Sequence, residues 1–101
     1  MTRMHAKGPT ARARAAKAAQ RLRAYRKVCV QVDERDGYRC RCCGSERSLH
    51  HHHIRPRSLV RDDSAKNLCL VCVVCHTLIH ARKLLVGGSD ANATLTVERV
   101  Q

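Results

Sequence analysis

Four cysteines in the middle of the chain have the residue type and spacing of metal ligands. They form two Cys-x-x-Cys pairs, separated by a stretch rich in histidine. A tight turn within each pair places both sulfur atoms on one side, and four thiolates complete the tetrahedral shell that zinc prefers. The spacing therefore predicts a structural Zn²⁺ ion held by Cys40, Cys43, Cys72 and Cys75.

The other cysteines leave the register of this site open. Cys69 and Cys72 also have the Cys-x-x-Cys spacing, whereas Cys42 could replace Cys40 only by losing it. We interpret Cys29, Cys42 and Cys69 as small buried or spare thiols. Because the total of seven is odd, a closed disulfide framework would leave one thiol over, which favours metal binding.

Histidines form the second group of candidate ligands. His76 and His80 are four residues apart in a segment with helical periodicity, so their imidazoles share a face and can bind one ion. A run of four histidines, 50–53, ends a predicted strand. The run is internal and is followed by Ile-Arg-Pro-Arg, which distinguishes it from a purification tag.

Short elements must position these side chains. Apolar periodicity and turn residues predict strands and a helix around the two groups, followed by a terminal hairpin. Residues 55–66 have the composition of a loop. The expected elements are a helix at Val28–Asp36, strands at Tyr38–Cys40 and Ser48–His53, a helix at Val71–Leu84, and a hairpin that pairs Leu84–Val86 with Thr94–Val100.

The N-terminal part of the chain is strongly basic. Residues 1–27 contain nine Lys or Arg and no Asp or Glu, and their Ala content favours a helix after a frayed tail to about Pro9. The whole chain has a net charge of +12, so nucleic acid is the default partner. We expect this arm to neutralise phosphates, and a solvated charged helix is the alternative.

Size and composition indicate one small domain that needs a structural metal or a disulfide for stability. The chain has 101 residues, two Tyr and no Phe or Trp, so it buries little apolar surface. No apolar run has the length of a membrane span, and the N-terminus lacks the apolar segment of a signal peptide. We therefore expect a cytoplasmic protein that is not secreted. The sequence does not give its oligomeric state.

Taken together, residues 28–85 resemble the HNH (His-Asn-His, ββα-metal or His-Me finger) endonuclease family. The resemblance implies an α+β fold in which a β-hairpin, a loop and a helix hold one catalytic ion beside a four-cysteine zinc. The nuclease domain would span 28–101, with its core motif at 38–82, and residues 1–27 would form the basic arm. The matching segments are RDGYRCRCCGS (35–45), HHIRPRS (52–58), NLCLVC (67–72) and CHTLIH (75–80), with nine residues from Asn67 to His76.

The resemblance also implies roles for individual side chains. The general base is the histidine directly before Ile, which is His53, and Asn67 braces the loop and orients that base. In many members the position before the base holds Asp, whereas here it holds His. His50 and His51 are the alternatives if the register of the run slips. The implied ligands of the catalytic ion are His52, His76 and His80, where His80 matches a third ligand that some members carry. In some members the position of Asn67 also contributes to the metal.

Phosphodiester hydrolysis suits this set of residues. A neutral imidazole has a pKa near the working pH and can take a proton from water. A divalent cation stabilises the phosphate and the leaving oxygen. Imidazole ligands favour Zn²⁺, Ni²⁺, Co²⁺ or Mn²⁺, and the resemblance widens the choice to Mg²⁺. Asp62 and Asp63 are candidate acceptors for the outer nitrogens of His52 and His76.

Basic residues around the histidines are candidate phosphate contacts. Arg55 and Arg57 flank Pro56 next to the base and could clamp a phosphate by paired hydrogen bonds, or could belong to a solvated basic loop. More generic contacts are expected from Arg61, Lys66, Arg82 and Lys83. Nothing in the sequence is typical of a base-reading element, so backbone contacts should dominate binding.

We therefore expect a metal-dependent DNA endonuclease that nicks or cuts with low intrinsic sequence specificity. The alternative is a non-catalytic, zinc-finger-like nucleic-acid-binding module or a phage DNA-packaging accessory protein. The resemblance allows a terminase-type packaging partner, because small members of the family often accompany phage packaging proteins. The expected setting is the cytoplasm of a bacterium or a phage-infected host.

Overall fold

The computed structural model describes residues 8–100, and its first element is a long helix, α1, at Ala11–Arg35. The hydroxyl of Thr10 caps its N-terminus by accepting a hydrogen bond from the Ala13 backbone N–H at 3.1 Å. The helix stops where Gly37 takes a left-handed φ of 65°. The predicted stop is therefore observed.

α1 is continuous where the sequence predicted two helical segments on either side of residue 27. No Gly or Pro lies near that point, so nothing interrupts the backbone hydrogen bonds. The division into an arm, 1–27, and a nuclease domain, 28–101, stays a prediction. The frayed tail expected before Pro9 falls largely on residues 1–7, which lie outside the described part of the chain.

Two strands form an antiparallel hairpin in the middle of the fold. They are β1, Leu49–His53, and β2, Leu68–Cys72, and they pair with His52 opposite Cys69. β2 is buried along its whole length, since the run LCLVC is apolar on both faces. This strand holds the histidine run in a fixed register.

The strand predicted at Tyr38–Cys40 is wrong, because this segment is a series of turns. Tyr38 has a left-handed φ of 56°, which no extended strand accommodates. The partner of β1 is instead β2, whose residues the sequence assigned partly to the following helix. A short continuous apolar run does not distinguish a buried strand from a buried helix.

The second helix, α2, is Val73–His80, and it is shorter than the predicted Val71–Leu84 because its first residues belong to β2. After it, Arg82 takes a left-handed φ of 59° and turns the chain. β3, Leu84–Asp90, and β4, Thr94–Arg99, then form the predicted terminal hairpin. Gly88 is required there, because a Cβ atom would lie 2.7 Å from the Thr94 carbonyl oxygen.

The core lies on the two faces of β2. On one face, Leu68 and Leu70 pack against Val32 of α1. On the other face, Cys69 and Val71 pack with Leu84 and with three of the four predicted zinc ligands, Cys40, Cys72 and Cys75. The basic helix and the ββα unit of β1, β2 and α2 are thus joined through one buried strand. The predicted small α+β fold, with a basic helix and a C-terminal hairpin, is confirmed.

Neither helix within residues 8–100 combines the length and apolar character that crossing a lipid bilayer requires.

Candidate metal centres and active site

The four predicted cysteines come together at the base of the hairpin. One pair lies in the turns after α1, where Gly44 has a left-handed φ of 80°, and the other pair joins β2 to α2. Their sulfur atoms all lie within 4.8 Å of one another. Cys43 Sγ and Cys72 Sγ are 3.6 Å apart, close to the about 3.8 Å expected when sulfurs bond tetrahedral zinc at about 2.3 Å. The donor set and spacing fit a structural metal such as zinc.

The surroundings of Cys40 favour the thiolate form of its sulfur. Burial raises the pKa of Cys40, but hydrogen bonds from the backbone N–H groups of Cys72, Cys43 and Cys42 outweigh it and lower the pKa to about 6. Burial and the neighbouring thiols raise the pKa of Cys75. A bound cation would favour the thiolate form of every member of the group.

The remaining cysteines stay outside this set. Cys69 is fully buried in the core, and burial raises its pKa to about 12. Burial and the nearby Cys40 raise the pKa of Cys42 to about 11. Burial also raises the pKa of Cys29. Their sulfur atoms lie outside the group of ligand atoms within 4.8 Å of one another, which agrees with their interpretation as spare or buried cysteines.

The histidine run divides between the two faces of the β1–β2 hairpin, because side chains alternate along a strand. His50 and His52 face α2, where their rings contact His76 at centroid distances of 5.1 Å and 5.4 Å. His51 and His53 face the side of α1 and the loop. The two neighbouring histidines that the sequence singles out therefore have different surroundings.

The face toward α2 carries a cluster of imidazoles around His76. Nε2 of His76 is 3.1 Å from Nε2 of His80, and Nδ1 of His76 is 3.0 Å from Nδ1 of His50. Two nitrogens that bind one ion at about 2.0–2.1 Å lie about 3.0–3.4 Å apart, so the pair His76–His80 fits a divalent ion. The helical spacing predicted this pair.

His52 borders that pair without joining it tightly. Burial, followed by the proximity of His76 and His80, lowers the pKa of His52 to about 4, so its imidazole is neutral at pH 7. A neutral imidazole offers the lone pair that a metal ion needs. Within residues 8–100, however, only the cysteines form a group of three or more ligand atoms as close as 4.8 Å. The ligand atoms of the histidine site are therefore farther apart than those of the cysteine site.

His53 is held from two sides. Its Nε2 lies 2.8 Å from Oδ1 of Asp63, and its ring stacks on Tyr25 with an interplanar angle of 4° and a centroid distance of 6.1 Å. Burial raises the pKa of Asp63, but hydrogen bonds from His53 and Arg57 outweigh it and lower the pKa. Asp63 is therefore a carboxylate at neutral pH.

Asn67 braces the loop that follows β1. It is buried, and its Nδ2 donates to the carbonyl oxygens of Asp62 and Arg55 at 2.8 Å and 3.1 Å. Its Oδ1 accepts from the Arg55 backbone N–H at 2.8 Å, and its own carbonyl accepts from Ile54 at 2.8 Å. These bonds fix the ends of the loop next to His53. In the part of the chain that the structure describes, the amide makes no hydrogen bond to the imidazole itself.

Two aspartates were predicted to accept hydrogen bonds from His52 and His76, but the structure places them next to other residues. Asp62 accepts hydrogen bonds from Arg55 and Ser64, and Asp63 accepts from His53 and Arg57. Their assignment to His52 and His76 is therefore wrong, because both aspartates lie on the loop beyond the opposite face of β1. The hydrogen-bond partner next to His76 is His50, whose position two residues before His52 could have predicted a shared face.

The arginines of the loop surround the same site. Arg57 donates from Nε to Asp63 at 3.0 Å, and its guanidinium lies 5.1 Å from the centre of the Tyr25 ring. Arg55 pairs with Asp62, and Arg61 lies 4.0 Å from Asp63. The other predicted phosphate contacts are all exposed: Lys66, Arg82 and Lys83.

A surface pocket of about 300 Å³ connects these groups. His53 and Arg57 line it from the side of the loop, and His52, His76 and His80 line it from the side of α2. Tyr25 and Asp63, which the sequence did not single out for the base, lie directly behind His53. The sequence carried no signal for Tyr25, since it lies 28 positions before the base on a helix interpreted as a phosphate-neutralising arm.

Residues 40–82 match the family model of the HNH endonuclease. This segment includes the four clustered cysteines, the β1–β2 hairpin with its loop, and α2. Residues 40–82 are therefore similar to an HNH endonuclease domain, and their antiparallel strands, helix and cysteine cluster agree with the ββα-metal fold. An HNH domain is broadly a nuclease domain that acts on nucleic acid. Comparison with curated proteins and with solved structures gives no match.

Proposed function

We propose that the protein is a metal-dependent endonuclease that hydrolyses phosphodiester bonds of DNA with little intrinsic sequence specificity. The observation that carries this proposal is the pocket lined by both His53 and Arg57 and by the candidate ligands His52, His76 and His80. A base, a phosphate-binding side chain and candidate metal ligands can therefore reach one scissile phosphate. A purely structural zinc finger has no use for this combination.

His53 is the proposed general base. Its Nε2–H donates to Asp63, which leaves the lone pair of Nδ1 to take a proton from the attacking water. The positive charge that then develops on the imidazole is stabilised by the carboxylate 2.8 Å away. The stacked ring of Tyr25 restricts rotation of His53 and keeps this orientation.

The phosphate is bound on both sides of the base. Asp63 engages only Nε of Arg57, so the terminal nitrogens of the guanidinium are available for phosphate oxygens. A divalent ion bound by His76 and His80, with His52 beside them, would supply positive charge to the phosphate and to the leaving oxygen. Asn67 keeps the intervening loop in place through its three side-chain hydrogen bonds.

Low sequence specificity follows from the kind of contacts that the basic surface of α1 can make. The basic residues of α1 are almost all exposed, and they present charge rather than a fixed set of base contacts. Such a surface binds phosphates irrespective of sequence and is strongly salt-dependent. DNA duplex is the proposed substrate.

The direct test is nicking of supercoiled plasmid by zinc-loaded protein with Mn²⁺, Ni²⁺ or Mg²⁺, and with the weak chelator citrate in place of added metal. We expect nicked circles with at least one of these ions and none with citrate. A gel-shift measurement in the same buffers follows binding separately. Binding without nicking under every condition would reject the nuclease and favour the non-catalytic binding module.

A further inference from the structure

His50 is a histidine of the run that the proposed mechanism does not use. It lies on the same face of β1 as His52, and its ring is perpendicular to that of His76, at an interplanar angle of 87°. The two Nδ1 atoms are 3.0 Å apart, which is a hydrogen-bond distance. Two protonated nitrogens cannot approach this closely, so one Nδ1 donates and the other accepts.

The second nitrogen of His76 decides the direction of that bond. Nε2 of His76 lies 3.1 Å from Nε2 of His80, where the two imidazoles would share an ion. Nε2 of His76 must then carry a lone pair, which puts the proton of the neutral ring on Nδ1. The bond therefore runs from His76 Nδ1–H to Nδ1 of His50, whose own proton is on Nε2.

We propose that His50 is a positioning residue that fixes the tautomer and the orientation of the metal ligand His76. Histidines that bind metals usually donate their outer N–H to a carboxylate, carbonyl or water, and loss of that acceptor costs about 10–100-fold in metal affinity. In this chain an exposed imidazole occupies the acceptor position. The inference rests on the proposed role of His76 as a ligand.

The test is calorimetric titration of zinc-loaded protein with Ni²⁺ in the absence of DNA. We expect His50→Ala to raise the Kd about 10–100-fold. We expect His50→Asn to restore most of the affinity, because the amide Oδ1 lies as many bonds from Cα as the imidazole Nδ1 and also accepts. His76→Ala gives the Ni²⁺ affinity that remains when this metal-binding side chain is removed.

His51→Ala is the matched control. It removes the next imidazole of the same strand, but that ring faces the opposite side of the hairpin and contacts Asp33 at 2.7 Å. Its Ni²⁺ affinity should equal that of the wild type. Equal affinities of His50→Ala and wild type, with a loss in His76→Ala, would overturn the role of His50 and leave the proposed ligands standing.

Two further outcomes also count against the inference. A loss in His50→Asn as large as in His50→Ala would mean that His50 binds the ion directly. A similar loss in His51→Ala would mean that any change in the run disturbs the strand. Because the titration contains no nucleic acid, a failure of the nuclease proposal would appear only in the plasmid assay.

Discussion

His52 and His53 are neighbours in sequence but belong to different halves of the candidate site. Alternation along β1 directs one imidazole toward α2 and the other toward Tyr25 and Asp63. A slip of one residue would exchange the two environments. The pairing of β1 with the buried β2 prevents that slip, because it would move the apolar partners as well.

Asp63 is predicted to contribute to catalysis through His53. Asp63→Asn keeps the shape of the side chain but removes the charge that stabilises the protonated imidazole. We expect kcat for plasmid nicking to fall about 10²-fold with little change in KM. Steady-state rates over a range of plasmid concentrations separate the two parameters.

Asp62→Asn is the control for this substitution. Asp62 is the preceding residue of the same loop, but its carboxylate engages Arg55 and Ser64 and not the base. Its kcat should remain close to that of the wild type. Equal losses in the two variants would show that the loop, and not the charge beside the base, accounts for the effect.

At the scale of residues, short-range spacing was informative and long-range contacts were not. The Cys-x-x-Cys pairs and the pair His76–His80 follow from local turn and helix geometry, so the sequence predicted their proximity. The contacts of His53 with Tyr25 and Asp63 depend on how α1 and the loop pack across β1. No local pattern encodes that packing.

At the scale of elements, β2 organises the molecule. Its five residues contact α1 on one face and the cysteine cluster on the other. The sequence predicted the elements that surround it, including α2 and the terminal hairpin, but missed the strand itself. The apolar run 68–72 has no period of its own, so only its pairing with β1 identifies it as a strand.

Asp36 is predicted to hold α1 onto this strand. Its side chain is fully buried and accepts hydrogen bonds from Arg35, Arg41 and the Leu70 backbone N–H at 2.7–3.0 Å. Asp36→Ala removes the carboxylate from the mostly buried guanidinium groups of Arg35 and Arg41 and leaves them with neutral oxygen acceptors. We expect the free energy of unfolding to fall by about 3–5 kcal/mol, measured by urea denaturation of the zinc-loaded protein.

The stabilisation that Asp36 contributes should decrease only at acidic pH. Burial raises the pKa of Asp36, but the hydrogen bonds from Arg35, Leu70 and Arg41 outweigh it and hold the pKa below its usual value. Such a carboxylate stabilises the fold above the unfolded pKa of about 3.9 and loses this effect as the pH falls through the folded pKa. The difference from the wild type should therefore stay constant between about pH 5 and 8.

The matched control is Glu46→Ala. Glu46 pairs with Arg39 at 2.8 Å, but both side chains are more than half exposed. We expect a change of at most about 1 kcal/mol. A loss as large as that of Asp36→Ala would contradict the special position of the buried carboxylate.

At the scale of the whole molecule, the structural zinc is predicted to be part of the fold. The cysteines join the turns after α1 to the junction of β2 and α2, so the ion would link all three elements. We expect a strong chelator such as EDTA to abolish the cooperative thermal transition, measured by circular dichroism. Added Zn²⁺ should restore it.

Cysteine substitutions test the same point without a chelator. Cys75→Ser should lose the zinc that wild type binds at about one ion per chain, measured by metal analysis of purified protein. Cys29→Ser should keep it, because Cys29 lies in α1, away from the cluster. Equal zinc contents of the two variants would place the ion elsewhere.

The long basic helix is predicted to lie along the nucleic acid. The described residues extend over 67 Å in their longest dimension, and a groove of about 410 Å³ between α1 and the loop is lined by Arg21, Arg57 and Arg61. Arg21→Ala should reduce the slope of log K against log salt by about 1. Fluorescence anisotropy with a labelled duplex measures this slope.

Arg39→Ala controls for the loss of any positive charge. Arg39 is already paired with Glu46, on a turn away from this groove, and its removal should leave the slope unchanged. The same slope change in both variants would mean that net charge, and not the groove, sets the affinity. The sequence predicted the basic arm, Arg57 and Arg61 as phosphate contacts, but not that they line one groove.

The central claim is that His53 removes a proton from the water that attacks the phosphate. The most direct measurement is the single-turnover rate of plasmid nicking by His53→Ala, with protein in excess and with the ion that supports wild-type activity. We predict a rate about 10²–10⁴-fold below wild type, with unchanged Ni²⁺ affinity and DNA binding. Nicking by His53→Ala at the wild-type rate would contradict the assignment of the base.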